Sequence, residues 1–126
     1  MDKTHDRSRS WRPRTKLVRG GLTRSAFGET AEALFLTSGY SYADPETAEA
    51  RFKNQAPGYI YSRYGNPTVA MFEQRMALLE GAPAARAVAS GMAAVNAALM
   101  CQLKSGDRVV ASRALFGSCR YIIEDL

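Results

Sequence analysis

The segment from residue 85 to residue 103 constrains the fold more than any other part of the sequence. Residues 85–89 form a short apolar run with one β-branched residue, which is typical of a single buried strand. Ser90 and Gly91 supply the small residues that a tight strand-to-helix turn needs. Residues 92–103 are good helix formers and are apolar on nearly every side, which predicts a helix sandwiched between other elements. The segment therefore indicates a strand–turn–helix unit of an α/β domain.

The turn at Ser90 and Gly91 is also a candidate anion site. The first turn of a helix leaves backbone N–H groups without partners and carries the positive end of the helix dipole. Neither residue has a bulky side chain that would keep an anion from those donors, and a phosphate is the natural ligand. An ordinary turn with no ligand is equally compatible with the spacing.

A second strand and helix follow in the sequence. Residues 108–111 are predicted to form a buried strand, and residues 117–126 begin another helix. A strand, a helix and a strand of this length make a right-handed crossover, which predicts a parallel sheet. Two parallel strands cannot have both faces covered by one helix, so we expect residues 1–126 to be the first part of a larger α/β domain. We also expect them not to form a stable monomer alone.

Two helices that begin with proline precede this unit. Asp44 and Pro45 are a capping carboxylate and a proline at the first helical position, and Asn66 and Pro67 repeat that signal. Gly81 is predicted to end the second helix. The predicted organisation is a disordered basic leader (1–14), an extended N-terminal arm with short helices (15–66) and the start of the α/β domain (67–126).

The basic charge of the chain lies in its first residues. The whole sequence has a formal net charge of +5, but residues 1–24 carry +6 and the remainder −1. A basic leader could bind nucleic acid, yet Trp11 is its only aromatic residue and no nucleic-acid motif follows, so we expect no nucleic-acid partner. No apolar run reaches ~18 residues, which predicts no membrane span. Cys101 and Cys119 lack a CxxC spacing and indicate reduced thiols in a cytoplasmic protein with no metal site.

Three motifs occur in a fixed order: Tyr61-Ser-Arg-Tyr-Gly-Asn-Pro-Thr68, Leu79-Glu-Gly81 and Ala89-Ser-Gly-Met-Ala93. Their order and spacing resemble the Cys/Met-metabolism family of pyridoxal-phosphate enzymes, which have the aspartate-aminotransferase fold, fold type I. The resemblance covers roughly residues 15–126. It implies an α/β fold in which the N-terminal arm is followed by the first part of the parallel-sheet large domain of a transferase, truncated here. The implied cofactor is pyridoxal 5'-phosphate.

The resemblance also implies a phosphate turn and its neighbours. Ser90, Gly91 and Met92 match the family's turn whose backbone N–H groups bind the cofactor phosphate. Phe116 aligns with a position where many relatives place a tyrosine that stacks on the cofactor ring. Phenylalanine keeps the stacking surface but lacks the hydroxyl.

Other implied contacts involve a second subunit. Tyr61 and Arg63 match a Tyr-x-Arg pair that reaches the cofactor phosphate of the neighbouring subunit, which implies a homo-oligomer built as a dimer of dimers. An arginine fork and a phenol are good phosphate partners. No residue of this chain matches the family's Schiff-base lysine, which we expect beyond Leu126, and we expect the isolated chain to be inactive.

Further segments narrow the implied reaction. Residues 22–30, 34–40 and 114–119 are similar to family members that convert O-succinylhomoserine and sulfide to homocysteine and succinate in methionine biosynthesis. Family members that use O-acetylhomoserine, or that cleave cystathionine or methionine, remain possible. Residues 33–42 depart from the proline pair that is common in the cystathionine-processing enzymes. A Rossmann-type nucleotide-binding domain lacks its GxGxxG fingerprint here. A nucleic-acid module and a gene fragment without activity are the remaining alternatives.

Overall fold

In a computed structural model of the protein, residues 8–125 are described and form helices joined by extended segments. A 3₁₀ turn at Ser8–Ser10 precedes α1 (Pro13–Arg19), α2 (Pro45–Phe52), α3 (Pro67–Glu80), α4 (Gly91–Met100) and α5 (Gly117–Asp125). The chain divides into two compact units, Met1–Arg86 and Ala87–Leu126. The sequence prediction placed a domain boundary earlier, after Asn66. None of the described helices is long and apolar enough to cross a membrane.

Helices α2 and α3 begin where the sequence predicts. Asp44 Oδ1 accepts a hydrogen bond from the Thr47 amide at 2.6 Å. Hydrogen bonding to the Thr47 side chain first, and to its amide second, holds the pKa of the Asp44 carboxyl below its usual range. Asn66 Oδ1 accepts a hydrogen bond from the Thr68 amide at 2.9 Å. Helix α3 ends at Gly81, whose φ of 65° is the left-handed conformation of a helix C-cap. The predicted caps and the glycine stop are therefore confirmed.

The predicted leader is partly helical. Residues 1–7 lie outside the described part of the chain. Residues 8–14, which were predicted to be disordered, instead contain the 3₁₀ turn and the start of α1. Pro13 is the reason for the difference, because it occupies the first position of α1, where a missing backbone N–H costs nothing. Pro13 therefore starts a helix in a stretch for which the sequence predicts disorder.

The two predicted strands are corrected by the structure. Residues 85–88 and 108–111 have no regular secondary structure, and no sheet ladder is present within residues 8–125. The side chain of Val110 is fully exposed and those of Val88 and Val109 are partly exposed. A strand requires a ladder of hydrogen bonds to a neighbouring strand, and no such ladder runs through either segment in the described part of the chain. The predicted crossover between paired strands is thus not formed in this structure.

The second unit is built on the packing of α4 against α5. Ile122 of α5 is 8% exposed and is the one buried hydrophobic side chain of residues 8–125. Helix α4 has no buried residue, so the prediction that it is sandwiched between layers is not met here. Its apolar composition still requires cover, because a helix that is apolar on nearly every side is stable only when other elements bury it. Among the described residues, α5 packs against α4 and provides part of that cover.

Arg75 ties the first unit together. Its Nε donates to the carbonyl of Gly20 at 2.8 Å, and its guanidinium forms an ion pair with Glu32 at 2.6 Å. This arginine therefore connects α3 to Gly20, directly after α1, and to Glu32 in the N-terminal arm. Four apolar residues recur at helical spacing along α3 and predict one packing face: Val69, Phe72, Met76 and Leu79. The first two, Val69 and Phe72, are both exposed. They do not belong to a core formed by the described residues.

Gly21 marks a close approach of the backbone after α1 to helix α3. Its φ is +69°, and a Cβ at this position would lie 3.0 Å from Gln74 Cβ and closer still to the Met71 carbonyl oxygen. We expect Gly21→Ala to lower the free energy of unfolding of the full-length protein by about 2–4 kcal/mol, measured by chemical denaturation. Backbone atoms cannot move away as the end of a side chain can.

Gly28 is a matched control for this substitution. Its φ is +67°, but a Cβ there would meet nothing within 4 Å. Gly28→Ala should therefore cost only the left-handed conformation, about 1 kcal/mol. Equal losses for the two variants would show that the approach of residue 21 to α3 is not tight.

Candidate functional site

The segment from Tyr61 to Tyr64 is a tight turn. The Tyr64 amide donates to the Tyr61 carbonyl at 2.9 Å, and the Gly65 amide donates to the same carbonyl at 3.1 Å. Residues 59–63 belong to the arm that the sequence predicts to be extended, but the structure has a turn at residues 62–64. The turn brings residues 61 and 64 close together.

Arg63 is held at this turn by aromatic rings. Its Cζ lies 5.0 Å from the ring centroid of Tyr61 and 5.4 Å from that of Tyr64. Both distances are within the range of cation–π attraction. Arg63 and Tyr61 are exposed. The guanidinium and the phenol therefore face the surroundings of the first unit, where a ligand could reach them.

The turn is anchored to helix α3 and to the N-terminal arm through Asn66, which is only 8% exposed. The Asn66 Nδ2 donates to the Phe35 carbonyl at 2.9 Å and to Ser62 Oγ at 3.0 Å. The Phe35 amide donates to Thr68 Oγ1 at 2.9 Å. Both backbone groups of Phe35 are thus bonded to side chains at the start of α3. We call the set Phe35, Ser62, Asn66 and Thr68 the arm clamp.

The arm continues antiparallel to the residues that lead into the turn. Gly39 and Tyr61 form an isolated antiparallel bridge, and the Ser62 amide donates to the Ser38 carbonyl at 2.8 Å. The rings of Tyr40 and Tyr59 stack with centroids 5.3 Å apart, and burial raises the pKa of the Tyr59 phenol. These contacts fix the backbone of residue 61 from the arm side.

The Ser90 turn is a free helix N-terminus in the second unit. Ser90 Oγ accepts a hydrogen bond from the Ala93 amide at 3.2 Å, so the serine caps α4. The amides of Gly91 and Met92 belong to the first helical turn and have no acceptor within the helix. A Cβ on Gly91 would meet nothing within 4 Å, so no neighbouring side chain or backbone segment of the described chain crowds the side-chain position of this residue. Donors, dipole and this uncrowded position together fit a phosphate group.

Phe116 lies directly before helix α5. Its carbonyl accepts hydrogen bonds from the amides of Cys119 at 2.9 Å and Arg120 at 3.1 Å. The ring is 70% exposed. A phenylalanine fixed by its backbone with a free ring face can stack on a planar ligand.

The six predicted site residues fall into the two compact units. Tyr61 and Arg63 belong to the first unit, where the turn brings them together. The second unit holds the other four: Ser90, Gly91, Met92 and Phe116. Their assignment to a cofactor site stays a prediction. Within residues 8–125 no group of acidic, cysteine or histidine side chains could hold a metal ion.

Sequence reasoning missed the role of two residues. Tyr64 was not singled out, although a tyrosine three positions after Tyr61 is the signal that a turn would bring both rings to Arg63. Asn66 was interpreted as a helix cap only. No local signal indicates that its amide group also holds Phe35, a residue 31 positions earlier.

Comparison with known proteins gives a consistent match. The family model described as "Cys/Met metabolism PLP-dependent enzyme" matches residues 14–126. The chain is 57% identical over 109 residues to O-succinylhomoserine sulfhydrylase of Mycobacterium tuberculosis and 52% identical over 104 residues to the Pseudomonas aeruginosa enzyme of the same name. It is 37% identical over 103 residues to L-methionine gamma-lyase of Porphyromonas gingivalis.

The chain covers only part of these proteins. The aligned region covers 86% of this chain but only 27% of the Mycobacterium tuberculosis relative. The chain therefore spans about a quarter of the length of that protein. A solved structure provisionally assigned as an O-acetylhomoserine (thiol)-lyase of Campylobacter jejuni, with a pyridoxyl-lysine group, matches 92% of this chain and 29% of its own, at 32% identity and a TM-score of 0.84. The metB structure of Corynebacterium glutamicum matches 93% of this chain and 29% of its own, at 28% identity and a TM-score of 0.80.

Proposed function

The chain belongs to the Cys/Met metabolism family of pyridoxal-phosphate-dependent enzymes, and from that membership we propose that the full-length protein is an O-succinylhomoserine sulfhydrylase. It converts O-succinylhomoserine and sulfide to homocysteine and succinate. The observation that carries the proposal is the difference in identity over almost the same stretch, 57% to a sulfhydrylase of this name and 37% to a methionine gamma-lyase. The predicted family, the fold type I architecture and the cofactor are confirmed by the comparisons.

The proposed role of this chain is to anchor the cofactor. The free amides of Gly91 and Met92 bind the phosphate, and the Ser90 cap keeps the first turn of α4 in place. Pyridoxal phosphate, when bound, supplies the electron sink of the reaction. A cofactor held at its phosphate cannot move away from the reacting groups, so the turn contributes orientation to the reaction.

Phe116 is proposed to stack on the cofactor ring. Its exposed ring face provides dispersion contact and excludes water from one side of a planar ligand. Phenylalanine has no hydroxyl, so it neither donates a hydrogen bond to the cofactor nor moves a proton. Proton transfer is therefore assigned to groups outside this chain.

Tyr61 and Arg63 are proposed to act on the phosphate in a neighbouring subunit. Both side chains are exposed at an anchored turn, as a contact to another protomer requires. The proposed assembly is a homo-oligomer, a dimer of dimers. The many exposed apolar side chains of the described residues, among them Phe27, Leu36 and Val110, support the need for covering surfaces.

The catalytic lysine is proposed to lie outside residues 1–126. The chain contains four lysines, Lys3, Lys16, Lys53 and Lys104, and none lies in a motif that resembles the family's lysine site. We therefore propose that the isolated chain has no activity. We further propose that the full-length protein works in the cytoplasm without nucleic-acid or membrane partners.

The second candidate function uses O-acetylhomoserine in place of the succinyl ester. It is favoured by the structural match to the Campylobacter jejuni protein assigned as an O-acetylhomoserine (thiol)-lyase, at a TM-score of 0.84. The two functions share the cofactor and the sulfide step. They differ in the group that leaves, which carries a second carboxylate only in the succinyl ester.

Separate assays with the two esters distinguish the two candidate functions. The full-length protein is supplied with sulfide and either ester, and homocysteine formation is followed to obtain kcat/KM. We expect at least about a tenfold preference for the succinyl ester, the discrimination that one charged contact can give. A preference for the acetyl ester, or homocysteine formation from neither, would overturn the proposal.

A further inference from the structure

We propose that Tyr64 is a positioning residue for the cofactor phosphate, which acts by holding the guanidinium of Arg63. The inference rests on the proposed function of Arg63 and extends it to a residue outside the Tyr-x-Arg pair. The ring of Tyr64 lies 5.4 Å from Arg63 Cζ, on a turn closed by the hydrogen bond from its own amide to the Tyr61 carbonyl at 2.9 Å.

The environment of Arg63 differs from that of the ion-paired arginines. Arg75, Arg86 and Arg120 each form an ion pair with a glutamate. Arg63 has no carboxylate partner among residues 8–125, and two aromatic rings hold it instead. A carboxylate would neutralise the guanidinium and occupy the N–H donors that a phosphate needs. Aromatic faces attract the cation without using those donors.

Holding the side chain also reduces the cost of binding. A free arginine loses rotamer entropy when it is fixed on a ligand, and a side chain that is already restricted loses less. Tyr64 is 76% exposed and contributes little to packing. Among the described residues, the side-chain contact that the structure shows for Tyr64 is the one with Arg63.

The test measures the affinity of the full-length apo-protein for pyridoxal phosphate by equilibrium dialysis, a readout that does not depend on turnover. Tyr64→Leu removes the π face and keeps an apolar side chain, and we expect it to raise the dissociation constant by about three- to tenfold. Tyr64→Phe keeps the face and should stay within about twofold of the parent protein. Tyr64→Gln is a second variant without a π face and should match Tyr64→Leu.

A double substitution shows whether Tyr64 acts through Arg63. In an Arg63→Ala background, adding Tyr64→Leu should cause no further loss of affinity. A further loss of affinity in the double variant would overturn the positioning role of Tyr64. The same role is overturned if Tyr64→Leu has no effect in the parent protein while Arg63→Ala weakens binding. Unchanged affinity in Arg63→Ala would instead overturn the proposed phosphate contact of Arg63. Thermal unfolding of each variant checks that a loss of affinity is not a loss of fold.

Discussion

Arg63→Ala in the full-length protein is expected to raise the dissociation constant for pyridoxal phosphate by about ten- to a hundredfold. A guanidinium binds a phosphate through charge-assisted hydrogen bonds, and its removal leaves the phosphate charge without this partner. Equilibrium dialysis of the apo-protein measures the effect. Arg63→Lys is the matched variant, because it keeps the charge but not the planar fork and should give an intermediate loss. An unchanged dissociation constant in Arg63→Ala would remove this residue from the site.

A mixing experiment tests whether Arg63 serves the neighbouring subunit. Gly91→Asp is the second variant in the mixture. A carboxylate at the start of α4 is favourable to the helix dipole but repels a phosphate. If Arg63 of one subunit and the Gly91 turn of the other form one phosphate site across the dimer, random pairing of Arg63→Ala and Gly91→Asp protomers gives about a quarter of the sites both intact groups. All of these sites lie in mixed dimers. If both groups act within one subunit, mixing restores none, which would refute the intersubunit role.

Asn66→Ala is expected to lower the free energy of unfolding of the full-length protein by about 2–4 kcal/mol. The substitution removes the cap of α3 and the two hydrogen bonds that Asn66 Nδ2 donates within the arm clamp. It also leaves the Phe35 carbonyl without the Asn66 donor, which adds the cost of an unsatisfied acceptor to the loss of the cap. Chemical denaturation measures the change.

The cap of α2 provides the control. Asp44 caps its helix as Asn66 does, but its side chain makes no contact with a distant segment among the hydrogen bonds described. Asp44→Ala should therefore destabilise the protein less than Asn66→Ala. Asn66→Ser, which retains a capping oxygen but not the amide donors, should lie between them. Equal effects of the two alanine substitutions would mean that the arm clamp contributes nothing beyond the cap.

Local chemistry explains the parts of the fold that the sequence could predict. Asp44 with Pro45, and Asn66 with Pro67, are signals read within one helical turn, because capping involves residues two or three positions apart. The same holds for Gly81, since the left-handed C-cap is a property of a single residue. The family could be inferred from the order of three short motifs.

The features that escaped prediction depend on distant partners. Residues 85–88 have the composition of a strand, but a strand exists only when another segment pairs with it. The turn at residue 61 was hidden by a run of aromatic residues that favour extended structure. The clamp on Phe35 joins positions far apart in sequence, and no periodicity encodes such a contact.

Asn66 both caps α3 and donates to the Phe35 carbonyl, and this combination has a consequence for the order of folding. The first turn of α3 and the turn at Tyr61 involve only neighbouring residues, so little loop entropy opposes their formation. Capture of Phe35 closes a loop of 31 residues and needs the capping side chain already in place. We therefore expect the arm to dock late, onto a nucleus that α3 provides, and the surface that carries Arg63 to be completed in this last step.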